Sequence, residues 1–409
     1  MSGPVIEKLK SNTNNRSKLK LDSLLEITQA INSNFSAGDL FKIFEFVLAE
    51  QLNINKFAYC AHHNNWEWVL KHGVNNEIGK IQPAYDLEGI RDLTFTANAL
   101  SNNLKEFQVV IPVFHKKNAL AYLLIGGMDE DTLEEVREND LEFIQTIANI
   151  IAVAIENKRL FKENVQQELI RRELDLAREM QAMLFPAGLP NDHQLEFAAY
   201  YQPHHQVGGD YYDFIRLNNE EVLFCVADVS GKGVSAALLM SNFQANLRAL
   251  ASAEKTLSAL VGELNLKVLQ SAKGEKFITF FVARYNTKNR NLDYINAGHN
   301  PPLLTSKNGI EVLQKGCPGL GILDKLSSVT TGSVQVEPGS FLLCYTDGLV
   351  EQENEGGKDF GLEQLTKFLE TEQALSAAEF NSHLVKYLSA FKGVKPFVDD
   401  IALLSCRFF

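Results

Sequence analysis

The chain has 409 residues, 45% of them hydrophobic and 22% charged, with 26 Gly and 11 Pro. That length predicts two or three domains, and the composition excludes global disorder, collagen and a disulfide-stapled miniprotein. Thirty-nine Lys+Arg against 51 Asp+Glu give a formal charge of −12, which repels nucleic-acid phosphate at long range and suits a protein that gathers divalent cations. Cys60, Cys225, Cys317, Cys344 and Cys406 never stand at CxxC spacing, and several lie in apolar runs, as free thiols in a reducing compartment do. The first residues, MSGPVIEKLK, lack an apolar core, and nowhere is there an uncharged apolar run of about 18 residues. A cytoplasmic protein that binds neither membrane nor nucleic acid is expected.

Residues 1–19 are polar and basic, and predict a disordered tail. From Leu21 to Leu52 apolar residues recur at helical spacing with a break near Ser36–Asp39, which predicts two helices. Strand-like runs follow at 56–61, 66–70, 107–114 and 120–126, and then a long helix from Glu138. Helices, strands and a closing helix predict an α+β unit, an antiparallel sheet with helices on one face. This order, with the exit helix LEFIQTIANIIAVAIENKRLF (141–161), resembles a GAF domain, the small sensing module of bacterial signalling proteins, over residues 20–156. The resemblance implies a small-molecule or protein signal of unknown identity. His62, His63 and His72 are read as hydrated loop histidines, since no fourth metal ligand stands at suitable spacing. Trp66 and Trp68 share one face of a strand, as core or as a ligand pocket, with core preferred.

The exit helix runs on as a connector, residues 157–186, without Gly or Pro until Pro186. Leu169, Leu176 and Met183 are spaced by seven with Val165 beside them, while Arg172 and Glu179 put charge on the complementary seam. A dimeric signalling helix, and so a homodimer, is preferred over an amphipathic connector packed on its own chain.

Beyond Pro190 four acidic segments each adjoin an apolar strand-like run. GGDYYDF (208–214) places two glycines before Asp210, so backbone can come close to whatever that carboxylate binds. In ADVSGKG (227–233) a strand delivers Asp228 to a Gly-rich turn. YTDGLVE (345–351) ends a strand in Asp347, and DDIAL (399–403) opens the last strand with Asp399 and Asp400. One strand-end aspartate is ordinarily a turn former or helix cap. Four together suit hard cations such as Mg²⁺ or Mn²⁺, which take oxygen ligands and keep several waters. Two such ions roughly 3.5–4 Å apart activate water and stabilise a phosphoryl transition state.

These motifs, with AGHNPP (297–302) and the lead-in LAREMQAMLFP (176–186), resemble the bacterial metal-dependent protein phosphatases of type 2C, in the branch of stage II sporulation protein E and the sigma-factor regulators. The resemblance implies an αββα sandwich of two antiparallel sheets over residues 187–409 and two Mn²⁺ or Mg²⁺ ions. Asp228 would bridge the ions, the Val229 carbonyl would be a further ligand, and Asp210, Asp347 and Asp399 would complete the set, with Asp400 supporting. It implies a phosphoserine/phosphothreonine protein phosphatase that acts on a phosphorylated STAS-type anti-sigma factor antagonist and is gated by the GAF domain. His299, Asn300 and the Pro301–Pro302 pair read as loop-organising residues, His299 in preference to a general acid. Ala402 stands where this branch commonly has Thr, so any hydroxyl contact from that position is lost. Lys232 is a candidate for gripping phosphate. Two other functions compete: a catalytically inactive scaffold, which should have lost a metal carboxylate, and a GGDEF-type nucleotide cyclase, in which Tyr211 would have to be Glu and three of the motifs go unexplained.

Overall fold

The computed structural model describes residues 3–62, 65–96, 101–115, 118–129, 133, 134, 136, 140–307 and 309–409, with backbone alone for 3–16, 76 and 77. His63, read above as a loop histidine, lies outside the described residues. The chain divides into two compact units, residues 1–168 and 169–409.

In the first unit α1 (Gly3–Asn32) and α2 (Ala37–Phe46) precede β1 (Lys56–His62) and β2 (Trp66–His72). A short helix α3 (Pro83–Asp86), β3 (Thr94–Phe95), β4 (Phe107–His115) and β5 (Asn118–Gly126) follow, then the 42-residue helix α4 (Leu141–Ala182). The strands form an antiparallel sheet in the order β2-β1-β5-β4-β3. Strand alternation explains its two cores. Phe57, Tyr59, Val109, Ile111, Leu123 and Ile125 pack with Ile27, Phe44, Ile144 and Ile147 of the helices. Ala58, Cys60, Val110, Tyr122 and Leu124 face the other way, where Ile78, Ile81, Leu87 and Leu104 cover them. Helical layers on one face alone are therefore too simple: short helical segments close the second face as well. Trp66 and Trp68 pack against this second core. His62 ends β1 against the Trp66 ring, whereas His72 stacks on Phe57 and hydrogen-bonds Glu45 at 2.9 Å.

Where a disordered tail is expected over residues 1–19, the helix α1 begins at Gly3. Its second half buries Ile27 and Ala30. Once that half is docked, each further residue adds a hydrogen bond without a new nucleation cost.

The second unit is the expected αββα sandwich. One sheet, β13-β10-β9-β8-β7 with β14 on β10, comprises β7 (Tyr211–Arg216), β8 (Glu221–Val229), β9 (Ile278–Asn286), β10 (Asn291–Ala297), β13 (Gly316–Cys317) and β14 (Gly332–Gln335). The other, β12-β11-β15-β16-β6, comprises β6 (Leu195–Gln202), β11 (Leu303–Ser306), β12 (Gly309–Val312), β15 (Phe341–Tyr345) and β16 (Ile401–Phe408). All pairs are antiparallel except the two-residue β10–β13 pair. Phe224, Val226, Phe281 and Ala283 meet Leu342, Cys344, Leu404 and Cys406 between the sheets. Two helices, α5 (Val234–Leu250) and α6 (Leu257–Ala272), cover the outer face of the first sheet. After the single-turn helix α7 (Asp347–Val350), α8 (Gly361–Glu372) and α9 (Ala377–Lys392) cover the second. All five cysteines are free, and four are fully buried in these sheets as small apolar side chains.

Candidate metal centre

The four acidic segments sit where strands of the two sheets of the sandwich end. Asp210 directly precedes β7, Asp228 is the penultimate residue of β8, Asp347 opens α7 after β15, and Asp399 lies two residues before β16. Because β8 and β15 are buried apolar strands, they deliver their terminal carboxylates to the rim of the core rather than to open water.

Asp210 is 1% exposed and its Oδ2 has no hydrogen-bond partner. Burial, then the Asp228 charge and the Asp400 charge, hold its carboxyl well above the usual range, opposed by the Thr346 hydroxyl. Burial and Asp347 push Asp228 up to about 7, with Asp399 adding to the effect. Burial, Glu351 and Asp399 push Asp347 up to about 6. Desolvation and like charges both disfavour the ionised forms, so each carboxyl reports on the others.

Two glycines make the close approach possible. A Cβ on Gly209 would stand 2.9 Å from the Val229 carbonyl oxygen, and one on Gly208 would overlap Tyr201 Oη and Asp400 Oδ2. Asp400 accepts from the backbone N–H groups of His204 and Gly209, both at 2.7 Å, and so braces the loop that carries Asp210. Asp399 is turned elsewhere: Lys232 pairs with its Oδ2 at 2.8 Å and donates to the Val398 carbonyl at 2.8 Å. Among the described residues no three acidic, imidazole or thiol side chains converge on one point. Asp210, Asp228 and Asp347 are the carboxyls held above their usual range, and Asp399, paired with Lys232, adds to the shift of two of them.

The donor set still fits a hard divalent cation. An orphaned, buried carboxylate oxygen beside two further carboxyls and a backbone carbonyl is a set of oxygen ligands that lacks positive charge, which is the chemistry Mg²⁺ or Mn²⁺ takes.

His299 is 5% exposed; its backbone N–H donates to Asn296 Oδ1 at 2.7 Å and its Nδ1 lies 2.8 Å from Thr279 Oγ1. Burial pushes it down to about 4, so it is neutral at physiological pH and organises its loop. Ala402 contributes backbone only: its N–H donates to Thr346 Oγ1 at 2.8 Å and its carbonyl accepts from Thr346 N–H at 3.1 Å. Thr346, which touches Asp210, is a site residue that the motif reading passes over, although it stands directly before Asp347 in YTDGLVE. Asp213, the second acid of GGDYYDF, is wholly buried and takes a bidentate bond from Arg248 at 2.8 and 2.7 Å, a structural role apart from the cluster.

A sandwich of two antiparallel sheets between helical pairs, with aspartates gathered at strand ends, defines the PP2C-type phosphatase fold. Residues 218–409 match the family model described as Stage II sporulation protein E (SpoIIE), so the second unit carries a PP2C-type domain of the SpoIIE family. The chain is 28% identical over 288 residues to Protein IcfG of Synechocystis, a match covering 63% of this chain and 45% of that protein. It is 29% identical over 246 residues to Phosphoserine phosphatase RsbU of Bacillus subtilis, covering 59% of this chain and 72% of RsbU. The chain thus spans less than half the length of the first of these relatives. Among solved structures, the SiaA-PP2C domain of Pseudomonas aeruginosa superposes with a TM-score of 0.54 at 23% identity, covering 60% of this chain and 98% of that domain, a likeness of fold. Within this sandwich GGDYYDF leads into β7, which leaves no place for the cyclase reading.

Proposed function

We propose that the chain is a Mn²⁺- or Mg²⁺-dependent phosphoserine/phosphothreonine protein phosphatase. The observation that carries this reading is the buried Asp210–Asp228–Asp347 group, with raised carboxyl pKa values and one oxygen unpartnered. Asp228, Asp210, Asp347, Asp399 and the Val229 carbonyl would hold two ions. When bound, such ions neutralise phosphoryl charge and lower the pKa of water at the site. The chain's own part is to aim these oxygens, to brace the Asp210 loop through Asp400, and to hold Lys232 beside Asp399 as positive charge for an incoming phosphate. His299, neutral and buried, takes no proton in this scheme.

The rest of the reading follows the family resemblance. Residues 20–156 act as a GAF-like sensor of an unidentified signal, residues 157–186 transmit it, and residues 187–409 act on a phosphorylated STAS-type anti-sigma factor antagonist in the cytoplasm. RsbU is named a phosphoserine phosphatase, which supports the reaction class. Leu160, Phe161, Val165, Leu169, Leu176 and Met183 are exposed along the connector, apolar surface that a homodimer would cover. Among the described residues no helix is long and apolar enough to cross a membrane.

The test is hydrolysis of a phosphoserine peptide by the full chain with Mn²⁺, Mg²⁺ or chelator, beside Asp228→Asn and Asp347→Asn. Losing an outer-sphere partner of a metal costs about 10–100-fold, so removal of a ligand should exceed about 100-fold. Turnover that persists in chelator, or in both variants, would overturn the reading.

A further inference from the structure

Residues 203–210 belong to no strand or helix, so their backbone polar groups need partners outside any ladder. Asp400 takes the N–H groups of His204 and Gly209. Gly208 is served from the N-terminal side, by a residue 27 positions earlier. Gln181, in the last turn of α4, donates its Nε2 to the Gly208 carbonyl at 2.7 Å and accepts from the Gly208 N–H at 3.2 Å. One side-chain amide thus closes a two-bond ring on one residue, as a neighbouring strand would, and it is 6% exposed.

We infer that Gln181 is a positioning residue that holds Asp210 in the metal-binding group. This deepens the metal-phosphatase reading and rests on it. Asp210 follows Gly208 by two residues and is pressed against like charge from Asp228 and Asp400. The place of Gly208 sets where Asp210 falls, and no side chain on residue 208 can hold it there, because the loop is too close to Tyr201 and Asp400 for a Cβ. What holds it is the pair of clasps, Asp400 at Gly209 and Gln181 at Gly208. Phe185, four residues on, fixes the end of the lead-in against the two strands that flank this loop, its ring 4.8 Å from that of Tyr201 in β6, and 5.9 Å and 4.9 Å from Tyr211 and Tyr212 in β7. Gln181 lies outside the segment 218–409 that matches the SpoIIE family model, so a reading confined to that segment does not include it.

The experiment measures Mn²⁺ binding to the full chain by the electron paramagnetic resonance signal of free Mn²⁺, with no substrate present. Gln181→Met keeps length and bulk and removes both hydrogen bonds. Gln181→Glu keeps the acceptor for the Gly208 N–H and sets an oxygen against the Gly208 carbonyl. Two lost hydrogen bonds predict about tenfold weaker Mn²⁺ binding for Gln181→Met and a smaller loss, about threefold, for Gln181→Glu. The Mn²⁺ concentration for half-maximal hydrolysis should move in parallel. Gln244, whose Nε2 donates to the Leu184 carbonyl at 3.3 Å, ties the same lead-in to α5 without touching Gly208. Gln244→Met should therefore bind Mn²⁺ as the wild type does. A merely structural role for Gln181 would lower the melting temperature and leave Mn²⁺ affinity unmoved. Should Gln181→Met fail to fold, Gln181→Glu decides. Wild-type affinity in the folded Gln181 variants would overturn the inference alone, whereas a wild-type chain that binds no Mn²⁺ would overturn the metal reading together with it.

Discussion

The sheets of both units are buried on both faces, yet the two units treat a buried carboxylate in opposite ways. In the first unit Asp140 is fully buried and has the Lys20 ammonium 2.8 Å away. In the second, Asp213 is fully buried and held by the Arg248 fork. Asp210, equally buried, is surrounded by Asp228, Asp400 and Asp347. Burying a charge is tolerable when a partner and hydrogen bonds compensate it, and costly otherwise. The first two are therefore parts of the framework, whereas the third has acids around it and, among the described residues, no ion pair with a cation. Packing alone would not separate these regions; the sign of the charge around each acid does.

The comparison is broken most severely by turning a paired acid into an unpaired one. Arg248→Met leaves Asp213 buried without its cation; removing one partner of a fully buried pair costs about 3–5 kcal/mol, and because Arg248 is 44% exposed the expected loss is smaller, about 2–3 kcal/mol. Chemical denaturation should show that loss in the transition of the second unit. A loss below about 1 kcal/mol would mean that Asp213 reaches water or other partners, and that the contrast with Asp210 is small.

The second substitution has the opposite sign. Asp210→Asn removes a buried acid that other acids surround, so the chelated protein should gain up to about 1–2 kcal/mol, and less to the extent that the raised carboxyl already carries a proton. The same variant should lose most of the stabilisation that Mn²⁺ gives the wild type. Melting with and without Mn²⁺ reads both effects. A destabilised chelated variant would place Asp210 with Asp213 and Asp140 among the framework acids.

Dependence on pH sharpens the point further. Asp228 and Asp347 have folded-state values raised to about 7 and about 6 from the ordinary 3.8. A raised carboxyl binds its proton more tightly when folded, so its contribution is fully present below about pH 4 and is lost as pH rises through 6 to 7. His299, lowered to about 4 from 6.5, works the other way: its contribution is present above 6.5 and lost as pH falls toward 4. The difference between Mn²⁺-loaded and chelated protein isolates the carboxyls, because His299 is common to both. Protons compete with the cation, so the Mn²⁺-induced stabilisation should grow between pH 5 and pH 7.5, by on the order of 2 kcal/mol, read as a widening gap in melting temperature. A flat difference over that range would mean that the acids are ionised throughout.

How much of this was legible beforehand follows from what kind of information each feature needs. The strand-end aspartates stand in local motifs, so Asp210, Asp228, Asp347 and Asp399 could be named from the sequence, and the alternation of Phe224, Cys225 and Val226 already encodes a strand with two buried faces. Thr346 and Gln181 could not be found that way. Their roles depend on contacts with Asp210 and Gly208 from distant chain segments, and neither Thr nor Gln carries a charge that a pattern would flag. The second covered face of the first sheet was missed for a related reason. Its lid consists of short segments such as Asn76–Lys80, Pro83–Asp86 and Asn102–Leu104, too brief for helical periodicity to register. The separation of Asp399 from the other three acids needed coordinates too, since only the folded chain brings Lys232 across to it from another motif.

That separation sets the smallest expected effect. Lys232 and Asp399 are 45% and 32% exposed, so their pair is screened by water, and Lys232→Ala should change stability by less than about 1 kcal/mol. Its value lies in what it does to Asp399. With the ammonium gone, Asp399 has no cation in contact, while its charge continues to raise Asp228 and Asp347. Mn²⁺ affinity in Lys232→Ala should hold or rise by a few-fold, because a carboxylate is released toward the cluster and a competing positive charge is removed. Hydrolysis should fall instead through a higher KM for the phosphopeptide, since the positive charge nearest the acids is lost to the substrate. If both Mn²⁺ affinity and KM were unchanged, the pair would be a surface ornament of the Gly-rich turn, and Asp399 would be a third framework acid like Asp140 and Asp213.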